Sequence, residues 1–95
     1  MDLRYAWEKL FATVETLAGS TGTVQERLRD ARASQLHRLV HPPDFLPDDL
    51  RPELQALDKE LSSGRQWTDL EARDLAERIV SLFDQVARRR GPSAC

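Results

Sequence analysis

A chain of 95 residues, 40% hydrophobic and 32% charged, is long enough for one modest hydrophobic core and too apolar for a disordered segment. Its formal net charge of −2 gives no bulk attraction to nucleic acid or to acidic membranes. No apolar run approaches the ~20 residues needed to span a bilayer.

The predicted elements are all helical. The first helix runs from about Leu3 to Ala18, with Asp2 as its N-cap. Leu3, Trp7, Leu10, Phe11, Val14 and Leu17 recur on one face at helical spacing, and Gly19-Ser20-Thr21-Gly22 ends the helix. The second opens on Thr23-Val24-Gln25-Glu26, a capping box in which the threonine oxygen accepts from the Glu26 amide while the Glu26 side chain reaches back. It ends at His41, because Pro42-Pro43 cannot continue a helix.

The third helix follows the loop Pro43-Asp44-Phe45-Leu46 and carries a narrow row of Leu50, Leu54, Leu57 and Leu61. Pro52 is tolerated only in a first turn, which places the cap at Asp48 or Asp49. Ser62-Ser63-Gly64 closes this helix. The fourth opens on a second capping box, Thr68-Asp69-Leu70-Glu71, and runs to Arg90, with Gly91-Pro92 as its stop. Ala72, Leu75, Ala76, Ile79, Leu82, Phe83 and Val86 share one face, widened by Val80 and Ala87. So broad an arc makes the fourth helix the central element.

Short connections favour antiparallel neighbours, so the expected fold is an all-α, up-down bundle of about four helices. Residues 1–91 are expected to form the single domain and 92–95 a disordered tail. The expected core holds Leu10, Val14, Leu28, Leu54, Leu57, Ile79, Leu82, Phe83 and Val86. Charge suggests a salt-bridged hairpin: Arg27, Arg29, Arg32 and Arg38 on the second helix precede six acids between Asp44 and Glu60.

Candidate chemistry is sparse. His37 and His41 share a helix face, with Asp44 near enough in sequence to join a metal site. No cysteine is close and no glutamate follows His37, so two solvated histidines at a helix C-terminus are expected and no metal or cofactor is assigned. The serines lie in no nucleophile motif, and the four glycines read as helix punctuation rather than a phosphate loop. The chain is therefore expected not to be an enzyme. Arg88-Arg89-Arg90 reads as cations complementing a helix C-terminus, with a basic patch as the alternative. Trp67 reads as a lid over the end of the bundle.

Two features point towards binding. Leu17-Ala18, Gly22 and Leu28 partly resemble a helix-turn-helix, which would offer Gln25, Arg27, Arg29 and Arg32 to DNA. Thr21 and Thr23 replace the apolar residues that usually flank the glycine, Ala31 is small for its core position, and Glu26 and Asp30 would oppose phosphates. DNA binding is thus the alternative reading, and nucleic acid is not the expected partner. The second feature is residues out of phase. Tyr5 projects nearly opposite the Trp7–Leu10–Val14 stripe, and Arg32 and Gln35 fall inside the arc of Val24, Leu28, Leu36 and Leu39. Arginine is enriched in interface cores. The leading expectation is a small non-enzymatic protein–protein interaction or regulatory module, contacting its partner through Tyr5, Gln25, Arg29, Arg32 and Gln35. A homodimer across helices one and two is one form of it. The N-terminal Met1-Asp2-Leu3-Arg4 lacks the layout of a secretion signal, and Cys95 is the only cysteine, so a cytoplasmic setting is expected. Only Lys9 and Lys59 among fourteen basic residues are lysines, which fits a GC-rich, bacterial-type genome.

Overall fold

A computed structural model describes residues 3–19, 21–40 and 46–90. The Asp2 cap, the helix stop at His41, Asp44, and the 92–95 tail lie outside the described residues. The elements are α1 (Leu3–Gly19), α2 (Val24–Ala31), a π turn (Arg32–Leu36), α3 (His37–Val40), α4 (Arg51–Leu61) and α5 (Asp69–Arg90). Among the described residues there is no strand, and the fold is an all-α bundle. No helix among them is long and apolar enough to cross a membrane.

Both capping boxes form. Thr23 Oγ1 accepts from the Glu26 amide at 3.1 Å, and the Thr23 amide donates to Glu26 Oε1 at 3.4 Å. At the head of α5 the Glu71 amide donates to Thr68 Oγ1 at 3.1 Å, and the Thr68 amide to Glu71 Oε1 at 3.0 Å. Gly22 has φ +102°, and a Cβ there would sit 3.2 Å from the Glu26 carboxylate, so the turn into α2 requires glycine. The start of α4 differs from expectation. Its N-cap is Leu50, without a side-chain cap, and Pro52 is the second helical residue. A turn closes on Pro47 instead, with the Leu50 and Arg51 amides donating to the Pro47 carbonyl at 2.9 and 3.1 Å. That turn carries Leu46 and Leu50 into the core, while Asp48 and Asp49 stay exposed.

The second rod is not a straight α-helix. The His37 amide donates to the Arg32 carbonyl, a bond spanning five residues rather than four. The turn takes in one additional residue, and the buried positions become Leu28, Ala31, Leu36 and Leu39, with a five-residue step across it. On an unbroken α-helix Arg32 and Gln35 would lie near the centre of that arc. The wider turn moves both to its edge, where they are half-buried. The arc itself is covered by the chain's own core rather than open for another molecule.

Leu10, Leu28, Leu54, Leu57, Ile79, Leu82 and Val86 are buried as expected, whereas Val14 and Phe83 are only partly so. The Leu50–Leu61 row is buried throughout. Helix α5 packs against α1, α2 and α4, as its broad arc implies. It runs antiparallel to α1: Gln25, just past the end of α1, bonds to Asp69 at the start of α5, while Trp7 and Phe11 meet Phe83. Among the described residues the expected hairpin of ion pairs from the arginines is reduced to one, Arg32–Asp58 at 3.0 Å. The other acids of the 46–60 stretch turn elsewhere. Glu53 pairs with Arg78 at 2.6 Å, Asp49 with Arg89, Asp48 with Arg51 at 2.8 Å, and Glu60 with Arg65 at 3.3 Å. Most of that acidic charge holds α5 and the loop before it, not the second helix.

Candidate interaction surface

The basic face of the second helix closes a loop of its own chain. Gln25 Nε2 donates to the Trp67 carbonyl and to Asp69 Oδ1, both at 3.0 Å. The Arg29 guanidinium lies over the Trp67 ring at 4.9 Å, and its Nη2 donates to the Arg65 carbonyl at 3.3 Å. Arg27 Nη1 reaches the Leu17 carbonyl at 3.4 Å. Trp67 is buried as a lid, and its indole donates to Glu60 Oε1 at 3.2 Å. Four of the side chains considered for DNA or protein contact, Gln25, Arg27, Arg29 and Arg32, are therefore engaged within the chain. Gln35 is half-buried, and its carbonyl oxygen has no hydrogen-bond partner among the described residues. Tyr5 is not on an open face; it packs partly buried against the core, with Lys9 Nζ 5.6 Å from its ring centre.

His37 Nδ1 lies 3.8 Å from Asp58 Oδ1 and 3.4 Å from Arg32 Nη2, next to the π turn. His41 and Asp44 lie outside the described residues, and among those described no group of three metal-ligating side chains comes together. Of the terminal arginines, Arg88 pairs with Asp84 at 3.0 Å and Arg89 grips both oxygens of Asp49.

A cleft of about 310 Å³ opens between α4 and α5, lined by Glu60, Arg65, Glu71, Asp74 and Arg78 among others. Arg65 bridges Glu71 and Glu60, and Arg78 is held by Glu53. The Thr68 amide and then Arg65 hold the Glu71 carboxyl below its ordinary pKa, and Glu71 in turn raises that of Arg65. Each cation is thus committed to a carboxylate of the chain, which fits a clamp on the 62–68 loop better than a ligand site.

Part of the exposed apolar surface lies on the α1–α5 seam. Trp7 stacks on Phe11 with ring centres 5.0 Å apart and planes within 9° of parallel. Phe83 of α5 leans on both, 5.8 Å from Trp7 and 6.0 Å from Phe11. Phe11 stays 40% exposed and Val80, one turn from Phe83, 46% exposed. Aromatic strips of this kind are enriched at protein interfaces. The helical spacing of α1 places Phe11 on the apolar face, but that face is too wide for its neighbours to cover. The close line to the core is Ala6, Leu10 and Thr13, small residues alternating with one leucine. Thr13 is satisfied by donating to the Lys9 carbonyl at 2.7 Å. The signal in the sequence is the width itself: six large apolar residues cover more of α1 than one core-facing stripe uses.

No family model, curated protein or solved structure matches this chain.

Proposed function

We propose that the chain is a non-enzymatic module that acts by protein contact, and that its contact face is the aromatic strip of α1 and α5. The observation that carries this reading is the exposure of Phe11 and Val80 beside the Trp7–Phe11–Phe83 stack. A rigid aromatic gives up little conformational entropy on binding and brings a large apolar area, which is why such residues dominate contact energies. The engagement of Gln25, Arg27 and Arg29 with the chain's own carbonyls and with Trp67 argues against the second helix as a nucleic-acid reader. A reducing, cytoplasmic setting suits a chain with a single cysteine.

The reading is tested by placing a benzophenone amino acid at Phe11 and, as a control, at the exposed Lys59 of α4, and irradiating intact cells that make each variant. The expected result is a discrete protein adduct from position 11 and none from position 59. Equal labelling at both positions, or none at position 11, contradicts the reading.

A further inference from the structure

Resting on that reading, we infer that the occupant of the α1–α5 face is a second copy of this chain, docked antiparallel about a two-fold axis perpendicular to the helices. The argument is the distribution of charge around the aromatic strip. At 100° per residue, Arg4, Phe11 and Glu15 of α1 fall within about 40° of one another. Glu77, Val80 and Arg88 of α5 fall within about 80°. All six are exposed. Arg4 and Arg88 lie at one end of the face, where their side chains are 77% and 79% exposed and pair with Glu8 at 3.5 Å and Asp84 at 3.0 Å, one turn away on the same helices. Glu15 and Glu77 lie at the other end, and among the described residues neither has an ion-pair partner. The face therefore carries two ion-paired arginines at one end, aromatic side chains in the middle and two glutamates without an ion-pair partner at the other end.

The contacts of Phe83 set the level of the axis. Phe83 touches both Trp7 and Phe11, so the level of Lys9–Leu10 on α1 matches that of Leu82–Phe83 on α5. Arg4 lies as far before this level as Glu15 lies after it, and Glu77 and Arg88 are equally far from it on α5. A half-turn about an axis there places Arg4 opposite the partner's Glu15 and Glu77 opposite the partner's Arg88. Symmetry doubles each pair, and the two Phe11 rings come within about 5 Å of each other along the helix, at 1.5 Å rise per residue. The other two-fold arrangement, with its axis along the helices, keeps every residue at its own level. It would set Arg4 against the partner's Arg88 and Glu15 against the partner's Glu77. Like charges reject that arrangement and opposite charges select the first. Arg73 shares the face but lies level with the end of α1, beyond the overlapping strip.

The test is sedimentation of the full chain and two charge variants at concentrations up to ~100 µM. The parent should approach twice the monomer mass of 10.9 kDa as concentration rises. Arg4→Glu and Glu15→Arg should each weaken association by roughly tenfold or more, because each creates two like-charge pairs. Mixed one to one, the two variants should associate again, since the mixed pair sets glutamates of one chain against arginines of the other at both ends. Circular dichroism checks that each variant keeps the helical fold. A parent that stays at 10.9 kDa, variants that associate like the parent, or a mixture that stays monomeric each overturn the inference. A position-11 adduct with a different protein, alongside a monomeric chain, overturns the second copy while leaving the contact face intact.

Discussion

Arg32 Nε donates to Asp58 Oδ1 at 3.0 Å across the interface between the second rod and α4, and the π turn is what brings it there. Their side chains are 27% and 13% exposed, so the pair is largely withdrawn from water. Asp58→Ala leaves a half-buried guanidinium without its acceptor and should cost about 1–3 kcal/mol in urea unfolding. Replacing both residues together, Arg32→Met with Asp58→Leu, should recover most of that loss, because an apolar pair carries no desolvation penalty. A double variant as unstable as the single one would show that the ion pair, not the packing, holds the two rods.

The π turn makes a prediction of its own. Deleting Ala33, an exposed residue inside it, should let the rod close into a regular α-helix while Leu28, Ala31, Leu36 and Leu39 still face inward. The melting temperature should change by no more than about 5 °C. Deleting Ala56 from the regular helix α4 should instead rotate the following leucines out of the core and unfold the protein. Equal loss from both deletions would contradict the assignment of the extra residue to this turn.

Helix α5 supplies the centre of the core. Ile79→Ala and Leu82→Ala remove fully buried side chains and should each cost about 2–5 kcal/mol, measured by chemical denaturation. That is a large share of a small domain's stability. A variant that melts like the parent would remove α5 from the central place.

What the sequence showed and what it hid divide along physical lines. The two capping boxes and the leucine row of α4 are local chemistry, readable from residues three or four apart. The π turn has no glycine or proline to mark it, so a constant helical period places Arg32 and Gln35 inward when they sit at the edge. Blocks of charge did not reveal which helices meet, and the arginines that hold Glu53 and Asp49 come from α5. The width of the apolar face of α1 signals surplus apolar surface, but that Phe11 is the residue left exposed depends on which neighbours surround the helix.

Two surface pairs set a dependence on acid. Arg89 holds the Asp49 carboxyl below its ordinary value of 3.8, and the Thr68 amide with Arg65 holds Glu71 below 4.5. A carboxyl depressed in the folded state contributes stability above its unfolded value and loses it as pH falls through the folded one. Stability should therefore decline below about pH 4.5, the upper of the two ordinary values. Arg65→Gln with Arg89→Gln should flatten that decline, and so should added salt, since both pairs are exposed. Thermal melts from pH 5 to pH 2.5 check it; an unchanged slope in the double variant would rule these pairs out as its source.

The contact between copies through α1 and α5 is tested most directly by nuclear Overhauser effects filtered for intermolecular contacts. The sample is an equal mixture of isotope-labelled and unlabelled chain at ~0.5 mM, a concentration that populates a dimer with a Kd of up to roughly 100 µM. The antiparallel pairing predicts cross-peaks from the Phe11 ring protons to the Phe11 ring and the Glu8 side chain of the other copy. Intermolecular cross-peaks confined to the second helix and α4, or none at all at this concentration, would contradict it.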